Sequence, residues 1–211
     1  MTKQYTVMNI YLIMSFLLLF LNPPANTLAE ELPLPTAESI KTYSVETESS
    51  RLYWYSGSHK GYVLLKDGII KVKDNEILTG RFRILMDSIV DTDIDYELMR
   101  LTLENILRSE EFFNTQHYPY ALFTIINSFN FQPGKPYITG CLKITDTTHL
   151  VSFHCELFLE DDLLRAESEM FSIDRIKWGI TSMSKDYVAS ENSYIVPEEI
   201  KFKIVLQARQ S

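Results

Sequence analysis

A period of two in hydrophobicity runs through most of this 211-residue chain and limits its fold more than any other feature. In EIKFKIVLQA, residues 199–208, apolar residues from Ile200 to Leu206 alternate with polar ones such as Lys201 and Lys203. Strand side chains point alternately to opposite faces, so the pattern predicts a half-buried strand. Similar segments recur about eight times and are joined mostly by short turns. One such turn is predicted at Asp67-Gly68.

Residues 94–109 break this pattern and predict a single helix. Their apolar residues recur at helical spacing: Ile94, Leu98, Leu101 and Leu107. Asp93 is the expected N-cap, because its carboxylate can accept a hydrogen bond from a free backbone amide of the first turn. Glu97 and Glu104 are expected on the polar face beside Arg100. The helix is interpreted as a cover over the sheet or as a dimer surface.

Strands, one helical crossover and further strands predict an all-β fold, an eight-stranded antiparallel barrel. We find no linker after residue 42 and no internal repeat, so residues 42–211 are predicted to form one domain, preceded by a polar lead-in at 30–41.

The N-terminus has the pattern of a secretory signal peptide over residues 1–29. Lys3 precedes a 14-residue apolar run at residues 8–21, and Ala29 is a small residue suited to cleavage. An uncleaved anchor is the alternative, but a membrane-spanning helix needs about 20 apolar residues. We therefore expect a periplasmic or secreted protein.

Composition excludes several classes of function. The chain has 28 acidic and 20 basic residues, a formal net charge of −8, which argues against nucleic-acid partners and anionic membrane surfaces. No zinc, nucleotide-binding or serine-hydrolase motif is found, and His149 and His154 fall on opposite faces of one strand. We therefore expect no catalytic residues, no metal site, no cofactor and no stable membrane insertion after cleavage.

The two cysteines flank a predicted hairpin at residues 141–155. If its apolar residues face the core, Cys141 points outward and Cys155 inward. Diverging Cβ directions disfavour a disulfide, and two free thiols are the favoured interpretation.

Four segments, in order, carry a family resemblance. They are Trp54 followed by the SHKG of residues 58–61, the strand–turn–strand run 66–94, the SEEFFNTQHYPYALF of 109–123, and the FSIDRIKWGI of 171–180. Over about residues 42–208 the chain resembles the YceI-like family of secreted lipid-binding proteins. Asn114 and Asp146 depart from the usual family residues, as expected for a divergent member.

The resemblance implies a lipocalin-like barrel with an elongated apolar pocket for a polyisoprenoid or quinone-like lipid. It implies a carrier or sequestering role without catalysis, and often a homodimer. The alternative is a structural or interaction protein whose interior is filled by its own side chains.

Alternation within the strands predicts which residues face the interior and would contact such a ligand, with Trp178 added from the fourth segment. The set is Trp54, Val63, Phe82, Ile84, Phe123, Ile144, Phe153, Phe171, Ile173, Trp178, Phe202 and Ile204. For the polar headgroup the candidates are His59, Asp174 and Arg175. Two structural roles compete with this: Asp174-Arg175 as a pair fixing a strand end, and His59 as part of a tight turn.

Overall fold

The computed structural model describes residues 39–130, 132–187 and 195–211. The predicted signal peptide at 1–29 and residues 30–38 of the predicted lead-in at 30–41 lie outside these residues. Within the described part of the chain, no helix is long and apolar enough to cross a membrane.

The described residues form ten strands, one α-helix and two short 3₁₀ turns. The strands are β1 (Lys41–Val45), β2 (Arg51–Ser56), β3 (His59–Lys73), β4 (Glu76–Asp91), β5 (Tyr120–Asn130), β6 (Pro136–Ile144), β7 (Thr147–Glu160), β8 (Leu163–Ser168), β9 (Phe171–Asp174) and β10 (Glu199–Gln210). The helix, α1, spans Glu97–Arg108, and the 3₁₀ turns span Thr47–Ser49 and Arg175–Trp178.

The strands form one antiparallel sheet that closes on itself, because β10 pairs with both β2 and β8. Ten strands occupy eight positions in this ring. β1 and β2 follow one another between β10 and β3, separated by the first 3₁₀ turn. β8 and β9 likewise pair with successive parts of β10. The predicted all-β class and the eight-stranded antiparallel ring are confirmed.

Alternation separates the two faces of the ring as predicted. On β4, Phe82 and Ile84 are each 7% exposed, whereas Arg81 and Arg83 lie on the outer surface. The inward side chains of the strands form one continuous hydrophobic core. Burial of this face fixes strand register, because a one-residue slip would place polar side chains inside.

The predicted turn at Asp67-Gly68 is wrong, since β3 continues through both residues. Asp67 is paired with Arg83 of the neighbouring strand β4, and its carboxylate accepts hydrogen bonds from the Arg83 guanidinium. Gly68 faces inward, where an added Cβ would lie 2.6 Å from the Phe82 ring. This glycine therefore serves close packing, and the hairpin turn lies at Asp74-Asn75, both of which have positive φ angles.

The predicted helix exists, but its bounds, N-cap and orientation differ. Its N-cap residue is Tyr96, which makes no capping hydrogen bond through its side chain. Asp93 instead accepts from the amide of Lys60 at 2.6 Å, so the predicted cap is wrong.

The buried face of α1 is also different from the predicted one. Leu98 and Leu101 are 65% and 42% exposed, whereas Glu104 is only 6% exposed. Glu104 Oε1 accepts from the amide of Asp91 at 3.0 Å, where β4 ends. This bond satisfies the Asp91 amide and holds the Glu104 side of the helix against the end of β4.

Candidate functional site

The closed sheet encloses a cavity of about 460 Å³. Strands β2 to β10 all contribute side chains to its wall, and nearly all of these are apolar. Ten of the twelve predicted contact residues line it: Trp54, Val63, Phe82, Ile84, Phe123, Ile144, Phe153, Phe171, Phe202 and Ile204. Their contact with a ligand stays a prediction.

Five phenylalanines form a continuous aromatic belt around this wall, from β4 to β10. Successive ring centroids are 6.2 Å apart for Phe82–Phe123, 5.8 Å for Phe123–Phe153, 4.5 Å for Phe153–Phe171 and 5.8 Å for Phe171–Phe202. These spacings are typical of favourable aromatic pairs. The belt gives the cavity a flat, apolar lining.

The belt crosses β6 at Gly140 because that residue has no side chain. A Cβ at Gly140 would lie 2.4 Å from the ring of Phe123. The missing side chain lets this ring lie against the β6 backbone and extend toward Phe153 on β7. Glycine is required here because any side chain would collide with this ring, and its absence keeps the aromatic surface continuous.

Two polar atoms in the cavity wall are buried without a hydrogen-bond partner in the described part of the chain. They are the indole Nε1 of Trp54 and the hydroxyl of Ser56, two residues apart on β2. Residues at i and i+2 of a strand share a face. Buried donors without partners are rare in folded proteins.

Arg175 lines the cavity and is 1% exposed. Its guanidinium donates to the carbonyls of Pro197, Ile180 and Val196, and its Cζ lies 5.6 Å from the centre of the Phe112 ring. Burial lowers the pKa of Arg175, an effect opposed by the carboxylates of Glu198 and Asp174. The bonds to Pro197 and Val196 tie the second 3₁₀ turn to the segment before β10, and the bond to Ile180 closes the chain just after the turn.

His59 also lines the cavity, at the start of β3. Its Nδ1 lies 3.1 Å from Asp93 Oδ2 and 3.8 Å from Asp91 Oδ2. Burial raises the pKa of Asp91, although amides of Ile94 and Asp93 donate to it and act oppositely. Burial also tends to raise the pKa of Asp93. Hydrogen bonds from the Lys60 amide and from His59 outweigh this effect and bring the pKa below its ordinary value.

Three predicted site residues do not line the cavity. Ile173 is buried in the core opposite Ile200. Trp178 is 3% exposed and its indole donates to the carbonyl of Leu142 at 3.1 Å. Asp174 accepts from the amide of Ile176 and caps the second 3₁₀ turn. Strand alternation predicted Ile173 to face the interior, and it is buried there without lining the cavity. Trp178 and Asp174 were added from the fourth family segment, at the end of that strand.

One end of the cavity is covered by residues that strand alternation could not identify. They are Leu103, Ile106 and Leu107 of α1, Phe112 and Phe113 after it, and Met183 with Ile195–Pro197 before β10. The apolar spacing of the helix predicted Leu107 on the buried side. It did not identify Leu103 or Ile106. The Phe112-Phe113 pair was visible in the third family segment, without any indication of its role.

Both cysteines are free, with Cys155 on the inner face in the cavity wall and Cys141 on the outer face. Burial raises the pKa of Cys155 to about 12. At pH 8 only roughly one Cys155 thiol in ten thousand is then ionised, and the thiolate is the reactive form.

We therefore expect iodoacetamide to modify Cys141 but not Cys155 in the folded protein. Peptide mass spectrometry before and after denaturation measures this directly. The Cys141→Ser variant is the control and should take up label only when denatured. Rapid labelling of Cys155 in the native state would contradict the buried position.

A closed eight-stranded antiparallel sheet around an apolar cavity defines the lipocalin-like class of β folds. Within that class, the family model for the YceI-like domain matches residues 43–208. The chain therefore belongs to the YceI-like domain family. No curated protein sequence matches the chain.

Solved structures share this fold at low sequence identity. BcnA of Burkholderia cenocepacia has a TM-score of 0.61 at 15% identity, covering 77% of this chain and 98% of its own. A polyisoprenoid-binding domain of Saccharophagus degradans has a TM-score of 0.58 at 11% identity, covering 80% and 98%. A mutant YceI protein of Campylobacter jejuni has a TM-score of 0.53 at 14% identity, covering 100% and 99%.

Proposed function

We propose that this protein holds an isoprenoid- or quinone-like lipid in the cavity, as a carrier or to sequester it, without catalysing a reaction. The observation that carries the proposal is the apolar cavity of about 460 Å³ inside the ring. This volume falls in the usual range for pockets that bind small molecules. A protein with an interior filled by its own side chains, the competing hypothesis, would have no such space.

The lining suits a long, branched hydrocarbon. Burying apolar groups contributes about 0.8 kcal/mol per CH₂, so a few prenyl units supply enough free energy for tight binding. The phenylalanine belt offers flat surfaces to the methyl branches of such a chain. Apolar contact discriminates weakly between chain lengths, since one methylene changes binding by only about 1–3 kcal/mol.

The unpartnered donors favour a ligand that also has an oxygen. A buried donor without a partner costs about 1–3 kcal/mol, and an acceptor on the ligand would remove that cost. The Trp54 indole and the Ser56 hydroxyl are therefore proposed to contact a quinone carbonyl or prenyl oxygen. Arg175 is less suited to this role, because its guanidinium is already bonded to three backbone carbonyls.

The Saccharophagus domain of the same fold is described as polyisoprenoid-binding, which supports the same ligand class here. The apolar run at residues 8–21 supports secretion to the periplasm or beyond. A homodimer is part of the same proposal, and the exposed Leu98, Met99 and Leu101 of α1 would suit its interface.

Native mass spectrometry with lipid extraction tests this proposal. The full-length chain is purified from a bacterial host, and the expected result is one co-purifying adduct per chain that extracts as a prenyl lipid. Delipidated protein should regain the mass of one added quinone or prenyl alcohol. A bare mass with no uptake of either compound would contradict the proposal.

A further inference from the structure

Three potential metal ligands converge beside the cavity, where β3 begins and β4 ends. They are His59 Nδ1, Asp91 Oδ2 and Asp93 Oδ2, and these three atoms lie within 4.8 Å of one another. His59 is the first residue of β3, Asp91 is the last residue of β4, and Asp93 follows it in the segment leading to α1. Sequence spacing could not indicate this cluster, because His59 and Asp93 are 34 residues apart.

The two carboxylates are held in similar ways. Asp91 Oδ1 accepts from the amides of Asp93 and Ile94 at 3.1 and 2.9 Å. Asp93 Oδ1 accepts from the amide of Lys60 at 2.6 Å. Each carboxylate is thus oriented through Oδ1 and presents Oδ2 to the imidazole. Hydrogen bonds of this kind fix ligand orientation in metal sites.

The environment of Asp91 provides a second, independent observation that points to a cation. Its side chain is fully buried, and its Oδ2 has no hydrogen-bond partner among the described residues. The His59 Nδ1 at 3.8 Å is too far for a hydrogen bond. A buried carboxylate oxygen without a partner is costly, and a bound cation would satisfy it.

We propose that His59, Asp91 and Asp93 bind one divalent transition-metal ion, for which Zn²⁺ is the best fit. Imidazole nitrogen and carboxylate oxygen are both zinc ligands, and three protein ligands would leave a fourth position open. Tetrahedral bonds of about 2.0 Å place ligand atoms roughly 3.3 Å apart, and His59 Nδ1 lies 3.1 and 3.8 Å from the two carboxylate oxygens. Ca²⁺ and Mg²⁺ prefer sites with oxygen ligands alone.

The surroundings support this assignment. Glu104 accepts from the Asp91 amide and pairs with Arg108, so the charges of these two side chains compensate each other. The carboxylates of Asp91 and Asp93 remain to face the imidazole. A metal here would join the start of β3 to the end of β4, beside the cavity. The site does not depend on the lipid that the cavity is proposed to hold.

Isothermal titration calorimetry of the chelator-treated full-length protein with ZnCl₂ tests the site. Wild-type protein should bind one Zn²⁺ per chain, and Mg²⁺ should bind far more weakly. His59→Gln and Asp93→Asn each remove one ligand at a partly exposed position and should weaken Zn²⁺ binding at least about tenfold. His117→Gln, at an exposed histidine elsewhere, is the matched control and should bind as the wild type does.

Thermal unfolding gives a second readout, because a ligand that binds only the folded state raises the Tm. Zn²⁺ should raise the Tm of the wild type and of His117→Gln, but not of the two ligand variants. No stoichiometric binding by the wild type would overturn the proposal. Binding that survives unchanged in folded His59→Gln and Asp93→Asn would also overturn it, because the metal would then lie elsewhere.

Discussion

Replacing Val151 with Phe is expected to weaken binding of the apolar ligand at least about tenfold while the chain remains folded. Val151 is 7% exposed, lies on β7 two residues from Phe153, and lines the cavity. A phenyl ring at this position would occupy space that the ligand needs. Displacing two CH₂ groups from the cavity costs about 1.6 kcal/mol, which is more than a tenfold change in affinity.

Leu150→Phe is the matched control, because Leu150 is the adjacent residue on the same strand and is 65% exposed on the outer face. Its binding should equal that of the wild type. Quenching of tryptophan fluorescence during titration with a short-chain quinone measures both variants, since Trp54 is in the cavity wall. Equal affinities for the two variants would show that the ligand does not occupy this cavity.

The strands show what could be predicted from the sequence. Alternation depends only on neighbours in the chain, so it placed Phe82 and Ile84 on the inner face while Arg81 and Arg83 faced outward. The same rule separated Cys155 from Cys141 on opposite faces. A half-buried sheet imposes this period on any sequence that folds into it.

The Asp67-Gly68 error has a different cause. The pair is a strong local turn signal, but Asp67 is bonded to Arg83 and Gly68 makes room for Phe82. Both reasons depend on the neighbouring strand β4, which the local pattern does not specify. Tertiary contacts therefore overrode a local preference.

The buried face of the helix and the polar cluster beside the cavity could not be predicted from the sequence. Glutamate usually faces solvent, yet the Glu104 carboxylate is buried, where it accepts a hydrogen bond from the amide of Asp91. The cluster of His59, Asp91 and Asp93 likewise depends on strand pairing between β3 and β4. Neither arrangement follows a spacing rule, because the partners come together only when β3 pairs with β4 and α1 packs against β4.

Replacing Arg175 with Met is expected to lower the free energy of unfolding by about 3 kcal/mol or more. The variant keeps an apolar chain of similar length but removes the donors to the carbonyls of Pro197, Ile180 and Val196. Each buried acceptor left without a partner costs about 1–3 kcal/mol. Two of these bonds, to Pro197 and Val196, link the second 3₁₀ turn to the chain before β10, so their loss also loosens one end of the cavity.

Denaturant unfolding monitored by circular dichroism measures this change. Arg165→Met is the control, because Arg165 is exposed on β8 and its loss should change stability by no more than about 0.5 kcal/mol. Arg175→Lys should fall between the wild type and Arg175→Met, since an ammonium group keeps the charge but cannot reproduce the planar fork of donors. If Arg175→Met were as stable as Arg165→Met, the three carbonyl bonds would not hold this end of the ring together.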